Sequence, residues 1–298
     1  MYILSQVNKE TIWGSRELIA YGADPALDKV GSLYTLAANE ELSCKVLNGP
    51  NAGRRLYDVY RENPQAFGMG AGESFPLIIS FISAGEDLSI QIHPDDAYAR
   101  RVENKPFGKS ESWFFLRKPA SGAIAMGCKC KSRQELEEKV EKGLWDQVVD
   151  HLAVQEDSYV YVTPGTLHAL TAGCIAYEIQ QATDVTYRFY DYDRVDSAGN
   201  KRPLQLKQAM DVVQVEKKSK AQRFGHTPHI EKEYAIERVN LEGGYVNGLS
   251  RFVCLTLLQG ELYLEGHAVK KGTSVLVLPG EEIAFGGKAQ AVCAFSRL

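Results

Sequence analysis

The feature that most constrains this chain is the shortness of its apolar runs. Leu77-Ile-Ile-Ser-Phe-Ile82, Ser158-Tyr-Val-Tyr-Val162, Phe252-Val-Cys-Leu-Thr-Leu-Leu258 and Ser274-Val-Leu-Val-Leu278 are alternating or β-branched, and each is followed within three residues by Gly or Pro. Runs this short do not complete an amphipathic helix, whereas they match buried or half-buried strands. Many short strands in 298 residues predict a mostly β protein made of sandwiches or jelly rolls.

Two segments share a pattern. Tyr159-Val-Tyr-Val-Thr-Pro164-Gly165-Thr-Leu-His168 and Thr273-Ser-Val-Leu-Val-Leu-Pro279-Gly280-Glu-Glu-Ile283 are both alternating strands closed by a Pro-Gly turn. They suggest two related barrels. Four positions after the proline stands His168 in one and Ile283 in the other, so only the first copy offers an imidazole there. Domains usually run to ~100–200 residues, and the polar stretch Glu216-Lys-Lys-Ser-Lys-Ala-Gln-Arg223 reads as a linker. The expected domains are therefore 1–220 and 221–298.

Three helices are expected. One opens at Pro94, with Asp95 and Asp96 in its first turn, where negative charge suits the helix dipole. A second follows the capping box Ser132-Arg-Gln-Glu135, with Leu136 and Val140 on one face. The third starts at Pro203 and carries the stripe Leu206, Met210 and Val213. The first two predict a helical insertion at about 94–150.

Apolar residues make up 44% and charged residues 24% of the chain, as in ordinary globular proteins. No run approaches the ~20 apolar residues of a membrane span, and the start does not read as a signal peptide; a cytoplasmic protein without a membrane partner is expected. Cys44, Cys128, Cys130, Cys174, Cys254 and Cys293 are too scattered for a disulfide framework or zinc knuckle and read as buried, reduced thiols. The net charge of −4 argues against nucleic acid as a partner. It leaves room for a phosphorylated small molecule, which needs only a local cationic cluster.

The densest chemistry lies in Leu88-Ser89-Ile90-Gln91-Ile92-His93-Pro94-Asp95-Asp96. Gln91 and His93 are two apart, so in a strand they share one face. Glu111, in Gly108-Lys109-Ser110-Glu111-Ser112-Trp113, and His168 complete a set of two imidazoles, one carboxylate and one amide. Zinc accepts such ligands and in catalytic sites keeps a position open. On spacing alone, two unrelated half-buried histidines and a surface acid explain the same residues, because three distant segments supply them.

Resemblance weighs for the metal. Ser89-Ile-Gln91-Ile-His93-Pro94-Asp95 resembles the Gln-x-His-Pro-Asp block of type I phosphomannose isomerases, and Gly108-Lys109-Ser-Glu111-Ser-Trp113 resembles their Gly-Lys-x-Glu-x-Trp block. Thr163-Pro164-Gly165-Thr-Leu-His168 is similar to their Pro-x-Gly-x-x-His stretch, and Asp184-Val-Thr-Tyr-Arg188 to their Ser-Asp-x-Thr-Tyr-Arg segment. Thr11-Ile-Trp13-Gly14 also resembles a family feature. Two departures stand out: Gly31-Ser32-Leu33-Tyr34 where the family has Gly-Glu-x-Trp, and Thr183 where Ser is common.

The resemblance implies two cupin-type jelly-roll barrels, the second metal-free, and one Zn2+ per chain on Gln91, His93, Glu111 and His168. It implies a zinc-dependent aldose-ketose isomerase that interconverts mannose 6-phosphate and fructose 6-phosphate through an enediol. Ser89, Lys109, Glu178 and Arg188 match polar residues of the family's sugar-phosphate pocket, and Arg194 falls near a basic position. Such a reaction needs a base, an electrophile and a partner for the growing oxyanion. Arg188, always protonated and forked, suits the last task. Glu178 and Lys109 compete as the proton-transfer group. Substrate contacts are expected from Ser89 and Arg194. The alternative is a non-catalytic cupin that binds a sugar phosphate. His226 and His229 read as a polar loop, and His151 and His267 as surface residues.

Overall fold

A computed structural model describes residues 1–195 and 199–298 of the chain. The protein is mostly β, and among the described residues no sheet closes on itself. Its contacts gather into two compact units, one of Met1–Glu10, Arg16–Phe81 and Phe224–Leu298, the other of Thr11–Ser15 and Ile82–Arg223. The division at Arg223 lies near the expected 220, but most of the first 81 residues group with the C-terminal segment instead of with 82–223. The strand Tyr2–Ile3 pairs with Ser274–Val277, and Ile3 enters the core around Leu255 and Val275. A strand joins whichever edge and core it can complete, regardless of distance along the chain. The end of the Lys-rich stretch is also not a free linker, since Ala221–Arg223 pairs with Ser158–Val162.

The C-terminal segment forms its own antiparallel sheet, with the order Tyr2–Ile3, Ser274–Val277, Val253–Leu264, Glu282–Ser296, Tyr234–Val246 and His229–Ile230. The apolar runs legible in the sequence supply its interior: Leu255, Leu257, Val275, Val277 and Ala291 are buried in one cluster.

The unit spanning 82–223 carries two antiparallel arrays. One runs Tyr187–Tyr190, Ile90–Ile92, His168–Ala169, Ala123–Cys128, Val149–Ala153; the other runs Ala221–Arg223, Ser158–Val162, Glu111–Arg117, Ile175–Gln181. Trp113, Phe115, Val160, Val162 and Ala176 contribute to its core. Because Trp113 faces Glu178 and Val160 across the ladder, and Glu111 faces Gln180 and Val162, this apolar face also carries Glu111, Glu178 and Gln180. Acids on an apolar face stay there only with partners.

The expected helical insertion at 94–150 is corrected. Glu111–Arg117 and Ala123–Cys128 are strands inside it, because Trp113-Phe-Phe-Leu is an aromatic run that buries on both faces of a pleated ladder. Short helices remain at its ends. Asp95 caps Asp96–Tyr98 by accepting the Tyr98 N–H at 2.8 Å. Ser132 caps Arg133–Glu141, while Glu135 reaches back to the Lys131 N–H rather than to that of Ser132. The helix expected from Pro203 starts later, as Leu206–Val212. All six cysteines are buried, and no helix of the described residues is long and apolar enough to cross a membrane.

Candidate active site

His93 follows the Ile90–Ile92 strand, and His168 follows the Pro164-Gly165 turn. Gly165 adopts φ +83°, and a Cβ there would lie 2.9 Å from the Val212 carbonyl, so both conformation and space call for glycine. Each imidazole is oriented by the backbone: His93 Nδ1 lies 2.9 Å from the Val185 carbonyl, and His168 Nδ1 lies 2.8 Å from the Thr166 carbonyl. A carbonyl only accepts, so both Nδ1 atoms carry a proton, and Nε2 is the lone-pair nitrogen of each ring in its neutral form. These Nε2 atoms face one another at 3.1 Å, with Glu111 oxygens 3.5 Å from His93 and 3.2 Å from His168.

All three residues are at most 1% exposed. Burial first, then the Lys109 ammonium, pushes the His93 pKa down to about 3, so this ring is neutral at pH 7. For Glu111 burial acts to raise the pKa, but the adjacent Lys109 ammonium outweighs it and holds the carboxyl well below its usual range. An ionised carboxylate and two imidazole nitrogens thus converge in a water-poor space; the Lys109 ammonium meets one Glu111 oxygen, while the two Nε2 atoms, 3.1 Å apart, are placed to share a metal cation with that carboxylate. His, His and Glu are a donor set that zinc takes readily, and the Nδ1–H to carbonyl bonds are the supporting contacts that metal-binding histidines use. These three form the trio of mutually close ligand atoms found among the described residues.

Gln91 belongs beside them. It is the register partner of His168 on one side and of Arg188 on the other, so the three side chains share a sheet face in the row Arg188, Gln91, His168. Adjacent strands are about 5 Å apart, which puts the Arg188 and His168 backbones roughly 10 Å apart. Arg188 donates Nη1 to the Pro203 carbonyl at 2.7 Å, while its Nε is buried without a hydrogen-bond partner.

Lys109 is buried with its Nζ 2.7 Å from Glu111 Oε2. A brace that the motifs do not reveal holds its loop: Asp96 Oδ1 accepts from the Gly108 N–H at 2.8 Å and from Gln181 Nε2 at 3.1 Å, and Gln181 Oε1 accepts from the Ser110 N–H at 2.9 Å. A Cβ on Gly108 would lie 2.4 Å from the Pro94 carbonyl, so this glycine lets the two motifs touch. Glu178 is buried and accepts the Trp113 Nε1–H at 3.0 Å, and the Trp113 ring packs edge-on to His168 at 5.5 Å. Ser89 is buried one residue ahead of the Gln91 strand.

Arg194 donates to Asp191 Oδ1 at 2.6 Å, beside Arg202, which also grips that carboxylate. Arg202 is the residue that sequence reasoning passed over: Asn200-Lys201-Arg202-Pro203 belongs to no motif and looks like any polar turn. Gln181 was equally hidden, and Asp96, read as a helix-start acid, gave no sign of its hydrogen bonds across the fold.

The comparisons with known proteins agree with this geometry. Residues 1–109 match the family described as phosphomannose isomerase type I, catalytic domain. The mannose-6-phosphate isomerase ManA of Bacillus subtilis is 32% identical over 285 residues, covering 91% of this chain and 90% of that protein. The mannose-6-phosphate isomerase of Streptococcus mutans is 34% identical over 222 residues, covering 74% and 70%. The crystal structure of the mannose 6-phosphate isomerase from Bacillus subtilis superposes with a TM-score of 0.85 at 28% identity, over 99% of both chains. With likeness at this level running through nearly the whole chain, and through the segments that bring His93, Glu111 and His168 together, the protein belongs to the type I phosphomannose isomerase family.

Proposed function

We propose that the protein is a zinc-dependent isomerase acting in the cytoplasm on mannose 6-phosphate and fructose 6-phosphate, through an enediol. The observation that carries this reading is the convergence of the His93 and His168 lone pairs on Glu111, beside Lys109 and in line with Arg188. His93, Glu111 and His168, joined by Gln91 from the neighbouring register position, would hold one Zn2+. When bound, the metal supplies a Lewis acid for the sugar's carbonyl oxygen.

The chain's own residues divide the remaining work. Moving a proton between C2 and C1 needs an acceptor; Glu178, a buried carboxylate oriented by Trp113, takes that role. Lys109, an ammonium held on Glu111, is arranged to donate, to a ring or carbonyl oxygen. Arg188, with an unpartnered Nε in a half-buried position, stabilises the negative charge that grows on the enediolate. Ser89 and Arg194 line the substrate's path. We read the two units as cupin-type jelly rolls, supported by their antiparallel arrays and core clusters, with the unit that contains Phe224–Leu298 serving as a metal-free support.

A coupled assay with mannose 6-phosphate, before and after chelation and after adding back Zn2+, tests the reading. Loss of turnover on chelation and recovery with zinc are expected. Activity indifferent to chelation, with no metal detected in the purified protein, overturns it.

A further inference from the structure

Asp191 sits among more positive charge than the isomerase reading uses. It is 3% exposed, and guanidiniums enclose its carboxylate: Arg202 donates Nε to Oδ2 at 2.8 Å and Nη2 to Oδ1 at 2.5 Å, and Arg194 donates Nη2 to Oδ1 at 2.6 Å. The Asp191 carbonyl accepts further from the Arg194 N–H at 3.0 Å and its Nε at 3.3 Å. Between them Tyr192 and Asp193 both adopt φ +55°, a costly conformation for two successive residues with side chains. The turn folds Arg194 back onto Asp191.

Arg188 completes the cluster. Its Nη1 donates to the carbonyl of Pro203, next to Arg202. Burial first, and then the nearby Arg202, lowers its pKa. Among the described residues Asp191 is the carboxylate hydrogen-bonded to Arg194 and Arg202, and with Arg188 alongside it gathers three guanidiniums. Glu86, 3.9 Å from Arg194 Nη1 and 57% exposed, is too distant and too well solvated to cancel their charge. Lys201 and Asp193 pair with each other outside and add no net charge.

The two outer arginines are not equivalent. Arg194 is tied on every nitrogen, with Nη1 on the Asp87 carbonyl at 2.5 Å and its other donors on Asp191. Arg202 is gripped along one edge, and its Nη1 has no hydrogen-bond partner among the described residues, on a side chain 24% exposed. An arginine fixed on one edge and open on the other is pre-oriented to bind an anion in fork geometry.

We propose that Asp191 is a positioning residue that presents Arg202 to the substrate's phosphate beside Arg188, so that Arg202, rather than Arg194, is the main phosphate contact. Arg188 lies on the edge strand of its sheet, with the metal ligands further along the same row. A substrate with a carbonyl at one end and a phosphate dianion at the other needs that separation. The proposal rests on the sugar-phosphate reading above.

The test is steady-state kinetics with mannose 6-phosphate, together with inhibition by inorganic phosphate, on the metal-replete wild type, Arg202→Gln, Arg194→Gln and Asp191→Asn. Losing a hydrogen bond to a charged group costs about 10- to 100-fold in affinity. Arg202→Gln is expected to raise both KM and the phosphate inhibition constant by that factor, with a smaller fall in kcat. Arg194→Gln should raise them less, and Asp191→Asn should follow Arg202→Gln. The proposal is overturned if Arg202→Gln leaves both constants within about twofold, or if Arg194→Gln has the larger effect. Should Asp191→Asn fail to fold, the two arginine variants decide alone. A wild type that does not isomerise mannose 6-phosphate defeats the parent reading instead, and calorimetric titration of wild type and Arg202→Gln with inorganic phosphate still judges the anion site.

Discussion

The backbone N–H of Gly165 donates to the carbonyl of His93 at 2.9 Å, so the turn that presents His168 hangs on the residue His168 must face. The Gly165 carbonyl in turn accepts from the Gln214 N–H at 2.9 Å. Main-chain bonds thus tie the turn ahead of His168 to His93, and only a residue without a side chain fits at Gly165 to make them.

One divalent metal per chain is expected, and His168→Ala should lose it together with turnover. Metal analysis of both proteins checks this. Two tightly bound equivalents in the wild type, or an unchanged single equivalent in the variant, would show that the ligand set is wrong.

Gly108→Ala isolates the contact between the two motifs. The new methyl would meet the Asp95 carbonyl carbon at 2.3 Å and the Pro94 oxygen at 2.4 Å, both backbone, so the loop must move and carry Lys109 and Glu111 with it. A loss of about 2–4 kcal/mol of stability is expected, the scale of overpacking at an unyielding site. Weaker metal binding should accompany it. Urea unfolding and metal titration measure the two effects, and a variant unchanged in both contradicts the role of this glycine.

Arg188→Ala separates catalysis from metal storage. Losing a donor that acts on charge formed in the transition state costs ~10²–10³ in turnover, or about 3–4 kcal/mol. Bound metal should stay near wild type, and Arg188→Lys should not restore full activity, because a point charge lacks the fork. Rate and bound metal measured on the same samples decide: near-normal turnover ends the catalytic assignment, and lost metal makes Arg188 a support of the metal site.

Asp191 gives a pH signature. Burial acts to raise its pKa, but hydrogen bonds from Arg202 and Arg194 prevail and hold it below the ordinary value of 3.8. The unfolded carboxyl takes its proton first as pH falls, so the stabilisation is complete above about pH 4 and is lost as pH drops through the lower folded value. The stability of wild type should therefore exceed that of Asp191→Asn at pH 7, with the gap closing below about pH 4. Urea unfolding across pH 7 to 3 measures it, and a constant gap rules the ion pairs out as its source.

His267, exposed in the C-terminal sheet, is expected to be dispensable. His267→Ala should leave turnover within about threefold, the scale expected when no transition-state contact is lost. A fall of hundreds-fold would mean that this segment supplies a catalytic group.

Local patterns already carried the β character of the chain, the Pro-Gly turns and the Ser132 cap, because alternation, capping and turn chemistry act over a few residues. The candidate ligand set was legible only through motif resemblance. Spacing alone left His93, Glu111 and His168 as unrelated residues, since it is the antiparallel ladder that makes Gln91 and His168 neighbours. Tertiary structure decided the rest. It turned Glu111–Arg117 into a strand inside an expected helical insertion, and drew Tyr2–Ile3 into the C-terminal sheet. It also joined Asp191 to Arg202, 11 residues on in sequence, in a pairing no motif marks. Register, burial and charge pairing are properties of residues far apart in sequence, and they exist only once the chain has folded.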